Sequence, residues 1–209
     1  MKELPENTLN RLIIYLKVLE NLEKKRVDFV SSEDLAKLSG VNSAQLRKDL
    51  SFVGTLGTKG VGYSVKALKY NLKKFLGRTE EWNVIIGGLT PLSRYLIEHA
   101  QLQKEGFFIM AAFDTKPENI GLVIGGVSVY NLDQLSYVCK AIKVDIGIIT
   151  TDEDQEIYFS AFVQHGLKAI LNLSNYPLFP EEDDKIKVEN LSIIHGLTKL
   201  SYYLKNFGT

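Results

Sequence analysis

Apolar residues recur at helical spacing from residue 8 to residue 25, where Leu9, Leu12, Ile13, Leu16, Leu19 and Leu22 fall on one face. The spacing predicts an amphipathic helix, with Pro5 just ahead of its start. A short extended piece is expected at 27–30. Two brief helical patterns follow in SSEDLAKLSGVNSAQLRKDLSFV, from Ser31 to Val53. Ser31 with Asp34 three residues on predicts the first start, and Gly40 predicts the stop. Asn42 or Ser43 is placed to cap the second helix, with Gln45 within capping-box reach. Leu46, Leu50 and Val53 form its buried stripe. A helix at 65–76 ends at Gly77. After a polar joint at 78–81 the pattern changes to short Ile- and Val-rich runs alternating with helices. Strands are predicted at 83–86, 107–113, 145–150 and 168–173, with short extended pieces at 125–130. Helices are predicted at 91–105, 132–141, 155–165 and from 193 onward. Such alternation predicts a parallel sheet covered on both faces. The fold class is therefore α/β: an N-terminal winged helix-turn-helix and a C-terminal Rossmann-like domain.

The helical pair at 31–53 is the most informative stretch. The face opposite its buried stripe carries Ser43, Gln45, Arg47 and Lys48, a compact donor set near a helix N-terminus. A recognition helix presents such a face to the major groove, where donors read base edges and grip phosphates. Directly after it come four glycines in nine residues, Gly54-Thr55-Leu56-Gly57-Thr58-Lys59-Gly60-Val61-Gly62, then Tyr63. This composition suits a tight β-ribbon, a wing, with Lys59 at its tip toward phosphate. Lys66, Lys69, Lys73 and Lys74 on the next helix give either a second basic face or a solvated one.

Charge sharpens the division. The chain's formal net charge is zero, yet residues 1–78 hold 15 Lys and Arg against 8 Asp and Glu, while 79–209 hold 10 against 17. A basic head on an acidic body indicates a nucleic-acid-binding module joined to a different one. One cysteine, Cys139, excludes an intrachain disulfide or a zinc cluster of cysteines, and no metal site is expected. No apolar run reaches spanning length and no signal segment is evident, so the expectation is a cytoplasmic protein without membrane contact.

The residues Ser-Ala-Gln-Leu-Arg-Lys-Asp-Leu at 43–50, Gly57-Thr58-Lys59-Gly60-Val61-Gly62-Tyr63, and Arg11-Leu12-Ile13-Ile14-Tyr15 together resemble the Rex family of redox-sensing transcriptional repressors. The likeness is dense over the first 77 residues and looser to Leu200-Ser201-Tyr202-Tyr203-Leu204. It implies three segments: a DNA-binding domain at 1–78, an NAD(H)-binding-type domain at 79–191, and a C-terminal helix at 192–209 exchanged between two subunits. It also implies a homodimer on a palindromic operator in double-stranded DNA, answering to NADH and NAD⁺. The DNA-contacting residues implied are Ser43, Gln45, Arg47, Lys48, Lys59, Gly60 and Tyr63. Arg11 matches the family's switch arginine, and Ser192 stands where the family has a switch aspartate.

The implied dinucleotide site takes in Gly87, Gly88, Leu89, Thr90, Asp114, Lys116 and Thr150. Asp114 matches the family's ribose-binding acid. Aligned on Gly87, the glycine fingerprint is broken: Leu89 takes the second glycine's position and Leu92 the third's. On that alignment one leucine fills pyrophosphate space and the other pushes helix from strand. Glu98 stands where an aromatic is expected beside the nicotinamide, and Asp152, Glu153, Asp154 and Glu156 set negative charge near the site. Three readings stay open: a repressor answering to NADH, a DNA-binding regulator that has lost this response, and a nicotinamide-dependent enzyme. The last requires an acid–base group, and His99, His165 and His195 are the available histidines.

Overall fold

The computed structural model describes residues 4–54, 57–58, 60–181 and 185–208. The chain forms two compact units, Met1–Glu80 and Glu81–Thr209.

The first unit runs α1 (Glu6–Lys24), β1 (Phe29–Val30), α2 (Ser32–Leu38), α3 (Ser43–Val53), β2 (Tyr63–Ser64) and α4 (Val65–Phe75). Its helix starts follow the sequence chemistry. Ser31 Oγ accepts from the Asp34 N–H, Asn42 Oδ1 from the Gln45 N–H, and Ser64 Oγ from the Ala67 N–H. Gly40, Gly54 and Gly77 take positive φ just past the helix ends, where a side chain would be strained. Leu12, Tyr15, Leu16 and Leu19 of α1 pack with Leu35, Leu46, Leu50, Leu68 and Leu72 into one core. β1 and β2 pair antiparallel, Val30 opposite Tyr63. Gly62 is required there by space, because a Cβ would lie 2.3 Å from the Val30 carbonyl oxygen. Two of the α4 lysines weighed as a basic or a solvated face are bonded to α1, Lys69 to Glu23 and Lys73 to Glu20.

The second unit contains β3 (Trp82–Gly87), α5 (Pro91–Glu98), α6 (Gln101–Lys104), β4 (Phe107–Asp114), β5 (Val123–Ile124), β6 (Val127–Asn131), α7 (Leu135–Ala141), β7 (Ile146–Ile149), α8 (Gln155–Gln164), β8 (Ala169–Asn172), β9 (Lys187–Asn190) and α9 (Ile193–Phe207). The sheet order is β5-β6-β4-β3-β7-β8-β9, parallel throughout except for β5. Two apolar layers cover it: Ile85, Phe113, Ile149, Tyr158 and Phe162 on one face, and Val84, Ile86, Val129 and Ile148 on the other. β3 is flanked by β4 and β7, so successive crossovers leave it in opposite directions. That is the switch point at which open α/β sheets form a crevice beyond their strand ends.

Three expectations are corrected here. The helix expected over 91–105 is broken. His99 is extended, and α5 ends where the Gly125 turn of the β5–β6 hairpin comes against Ile97 and Glu98. β9 was not anticipated: its residues Lys-Val-Glu-Asn are mostly exposed on a sheet edge, where apolar alternation is not needed. The helix expected over 132–141 opens with a 3₁₀ turn, Leu132–Gln134, before α7 begins.

Candidate nucleic-acid interface and dinucleotide crevice

α2 and α3 meet at the Gly40 turn, and the wing folds back beside them. Thr58 and Gly62 bridge, with the Val61 and Gly62 N–H groups donating to the Thr58 carbonyl. Between helices and wing lies a groove of about 510 Å³ lined by Ser32, Glu33, Arg47, Thr58, Gly60 and Val61 among others. Arg47 is exposed in it. Its Nη1 donates to Ser32 Oγ at 3.3 Å and lies 3.9 Å from Glu33 Oε1, so the guanidinium is held loosely and most of its donors stay available. Lys48 is exposed beside it and Ser43 half-buried. The expected wing-tip Lys59 lies outside the described residues.

One expected DNA-facing residue, Tyr63, is turned inward, and another, Gln45, is tied through its amide to a buried partner. Tyr63 is buried in the core of the unit, its ring where a Cβ on Gly57 would lie 3.0 Å away, because strand alternation turns it inward opposite Val30. Gln45 does not close a capping box. Its Nε2 donates to Asp49 Oδ1 at 2.8 Å.

Asp49 is the polar centre of this unit and only 1 % exposed. Arg11 grips both carboxylate oxygens, Nε to Oδ2 at 2.6 Å and Nη2 to Oδ1 at 2.8 Å, and the Tyr15 hydroxyl donates at 2.7 Å. Burial by itself raises the Asp49 carboxyl's pKa. The bonds from Arg11, Tyr15 and Gln45 outweigh it and hold the group below the usual carboxylate range. Because the folded-state value is depressed, Asp49 stabilises the fold above its unfolded pKa, about 3.9. That contribution is lost as pH falls through the folded value. Urea midpoints measured from pH 6 down to pH 2 are expected to decline less steeply below pH 4 in Asp49→Asn than in wild type. Arg11, the expected switch arginine, is thus engaged within its own unit.

In the second unit the crevice forms where β3 and β7 end. Gly87 owes its glycine to packing: a Cβ there would meet the Tyr158 ring at 2.7 Å and Phe162 at 3.1 Å. Gly88 makes the turn, at φ +86°. Thr90 caps α5 through Ser93, with Pro91 in the first turn. The steric argument from Leu92 is overturned, since Leu92 is 41 % exposed. The small, wholly buried residue between helix and strand is Ser93. Leu89, between the glycine turn and the Thr90 cap, packs part-buried against the apolar layer around Ile86. The spacing of turn, cap and buried small residue is therefore Gly88-x-Thr90-x-x-Ser93, one residue beyond the expected register at all three positions.

Asp114, 3 % exposed at the end of β4, accepts from the Leu89 N–H at 2.6 Å and the Lys116 N–H at 2.7 Å. Thr150 Oγ1 donates to the Gly88 carbonyl at 2.7 Å. Lys116 pairs with Glu153 at 2.7 Å, and Asp152 accepts from both the backbone and the side-chain amide of Asn175. One of the loop's four acids is thereby paired with a cation and a second is hydrogen-bonded. The crevice shares with a dinucleotide site a positive-φ glycine, a small buried helix residue and a carboxylate beyond the second strand, while the Gly88, Leu89 and Thr90 N–H groups already donate to the Phe113 carbonyl, Asp114 and Ser93 Oγ.

Ser192 caps α9 by accepting from the His195 N–H. His99 stacks on Tyr95 with centroids 4.1 Å apart, and His165 Nδ1 lies 2.8 Å from the Ala161 carbonyl. Burial pushes the Cys139 thiol up, away from the reactive thiolate. Among the described residues no cluster of His, Cys, Asp and Glu is placed to hold a metal, and no helix is long and apolar enough to cross a membrane.

Comparison with known proteins agrees with this two-part architecture. Residues 3–51 match the family model described as putative DNA-binding protein N-terminus, and residues 79–176 the model described as CoA binding domain. The redox-sensing transcriptional repressor Rex of Syntrophobacter fumaroxidans is 37% identical, covering 99% of this chain and 98% of that protein. Rex of Thermus thermophilus is 35% identical, covering 98% and 95%. The crystal structure of RSP, a Rex-family repressor, superposes with a TM-score of 0.87 at 31% identity, covering 98% of this chain and 95% of that one. RSP in complex with β-NAD⁺ and operator DNA gives 0.90 at 32%, covering 98% and 94%. RSP with β-NADH gives 0.86 at 30%, covering 98% and 96%. With identities of this size along nearly the whole of both sequences, the chain belongs to the Rex family, redox-sensing transcriptional repressors and not enzymes.

Proposed function

We propose that two copies of this chain bind an inverted-repeat operator in duplex DNA and that the balance of NADH to NAD⁺ in the cytoplasm sets how tightly they hold it. The observation that carries this reading is the Arg47 groove: an exposed guanidinium on a capped α3, beside a wing, on the basic part of the chain. In this reading α3 enters the major groove, Arg47 reads base edges, and Ser43, Lys48, Lys59 and Gly60 hold phosphates. RSP, at 32% identity, is described with β-NAD⁺ and operator DNA together, and that supports both ligands here.

Pairing is supported by α9. None of its residues is buried, and Ile193, Leu197, Leu200, Leu204 and Phe207 fall on one stripe. A stripe of this kind is covered by a partner, and exchange of segment 192–209 between subunits would cover it. A two-fold dimer then sets the spacing of two recognition helices, about 34–36 Å for half-sites one turn apart.

Gly88, Leu89 and Thr90 at the N-terminus of α5 would hold the pyrophosphate, Asp114 the ribose hydroxyls, and Thr150 the floor of the turn. Bound nicotinamide supplies only its oxidation state. The protein's part is to bind one form better in one arrangement of the dimer, and the shift can be no larger than that differential affinity. Calorimetric titration of NADH, NAD⁺ and NADPH, with operator binding measured beside it, tests the reading. Saturable NADH binding that lowers operator affinity is expected. A salt-sensitive, sequence-selective complex that ignores NADH would favour a second reading, a regulator without nicotinamide sensing. One observation favours that alternative: the Gly88, Leu89 and Thr90 N–H groups that would face a pyrophosphate already donate within the crevice.

Lys48→Ala is expected to weaken binding on all DNA sequences alike and to reduce the slope of log affinity against log salt by about one unit, the loss of one phosphate contact. Affinities on operator and random duplex across a salt series measure this.

A further inference from the structure

Gln45 lies one turn before Asp49 on α3, and its side-chain amide meets the carboxylate at 2.8 Å. A carboxylate only accepts hydrogen bonds, so the amide end facing Asp49 must be its NH₂. The carboxylate is itself immovable. It is buried, gripped by Arg11 at both oxygens and by Tyr15, and Arg11 is tied in turn to Thr8 Oγ1 at 3.1 Å. A half-buried side chain in the first turns of a recognition helix thus has its rotation about the terminal bond decided from beneath. We propose that Asp49 is a positioning residue for base readout: it turns the amide of Gln45 so that the carbonyl Oε1 is the end offered to DNA. Gln45 then favours a base edge that donates, the N4 amino group of cytosine or the N6 amino group of adenine, over guanine or thymine. The inference rests on the reading of α3 as the recognition helix.

The chemistry predicts an inversion. In Asp49→Asn a carbonyl at the Oδ2 position keeps both Arg11 Nε and the Tyr15 hydroxyl, and the new NH₂ takes the Oδ1 position facing Gln45 and Arg11 Nη2, which retains Thr8 Oγ1 as its acceptor. Gln45 must then turn its carbonyl inward and offer its NH₂ outward, toward guanine or thymine.

The experiment is a binding series on operators with each half-site position varied through four bases, for wild type, Asp49→Asn, Gln45→Ala and Gln45→Glu, each also measured on random duplex over a salt range. Wild type is expected to prefer cytosine or adenine at one position by about 2–12-fold, the worth of one hydrogen bond. Gln45→Ala should flatten that position, and Asp49→Asn should move the preference there to guanine or thymine with the salt slope unchanged. Gln45→Glu, which can only accept, should keep the wild-type preference at lower overall affinity. A merely structural Asp49 would weaken all operators equally, and that result overturns the proposal. So does a Gln45→Ala that alters no position. Should Asp49→Asn not fold, a Gln45→Glu that inverts the preference overturns it, and one that keeps it supports it. If wild type forms no sequence-selective complex, the reading of α3 itself fails, and this inference falls with it.

Discussion

Arg47→Ala is expected to lower operator affinity by about 1–3 kcal/mol, roughly 5–150-fold, and to relax preference at the bases Arg47 touches. The size follows from what the guanidinium does in the free protein. It has one long hydrogen bond to Ser32 and one loose ion pair with Glu33, both exposed, so little must be broken for it to reach DNA. Arg47 is exposed and stands outside the core formed by Leu46 and Leu50, so truncation is expected to leave that packing intact. The loss is therefore one of recognition and not of folding. Competition binding against operators altered one base pair at a time checks it. The alanine variant should discriminate less at one or two adjacent positions and keep its affinity for random duplex within a few fold. Unchanged preference at every position would remove Arg47 from base readout and place α3 differently on DNA.

How much of this was legible beforehand depended on whether local or distant groups decide a residue's role. The caps at Ser31 and Asn42 and the stops at Gly40 and Gly77 are local, and the sequence pattern reached them. The burial of Tyr63 and the orientation of the Gln45 amide were not legible because each is set from a distance, Tyr63 by the core opposite Val30 and Gln45 by a carboxylate held by Arg11 and Tyr15 of α1. The glycine turn failed for the same reason. Two glycines stand side by side, and the sequence alone does not say which one the turn needs. Gly87 is small because Tyr158 and Phe162, about 70 residues later, lie over it; Gly88 is small because its backbone turns left-handed. Aligning on the first glycine displaced the whole fingerprint by one residue and made Leu92 an obstacle it is not. Lys69 and Lys73 likewise read as a basic face only until Glu23 and Glu20 are seen across from them.

The same two rings predict the largest stability change. Phe162 is wholly buried on α8 and fills a slot cut by two glycines on neighbouring strands. A Cβ on Gly147 of β7 would meet its Cδ2 at 2.5 Å, and one on Gly87 of β3 its Cζ at 3.1 Å. Phe162→Ala is expected to destabilise the second unit by about 3–5 kcal/mol, the lost transfer energy plus the cavity left behind. Trp82, the chain's one tryptophan, opens β3, so its fluorescence in urea follows this unit alone. Its midpoint should fall, while the far-UV signal, to which helices of both units contribute, should lose only the second unit's share at that lower midpoint. Gly147→Ala by itself should also destabilise, by about 1–3 kcal/mol, because the added methyl has no room beside the ring. In the Phe162→Ala background that methyl enters the vacated slot. The double variant is therefore expected to be more stable than the two single losses summed, by at least about 1 kcal/mol, the coupling expected of residues in direct contact. Strict additivity would mean that the glycines in β3 and β7 are not there for the ring. The turn at Gly88, which β3 carries directly into the crevice, would then owe nothing to the packing beneath it.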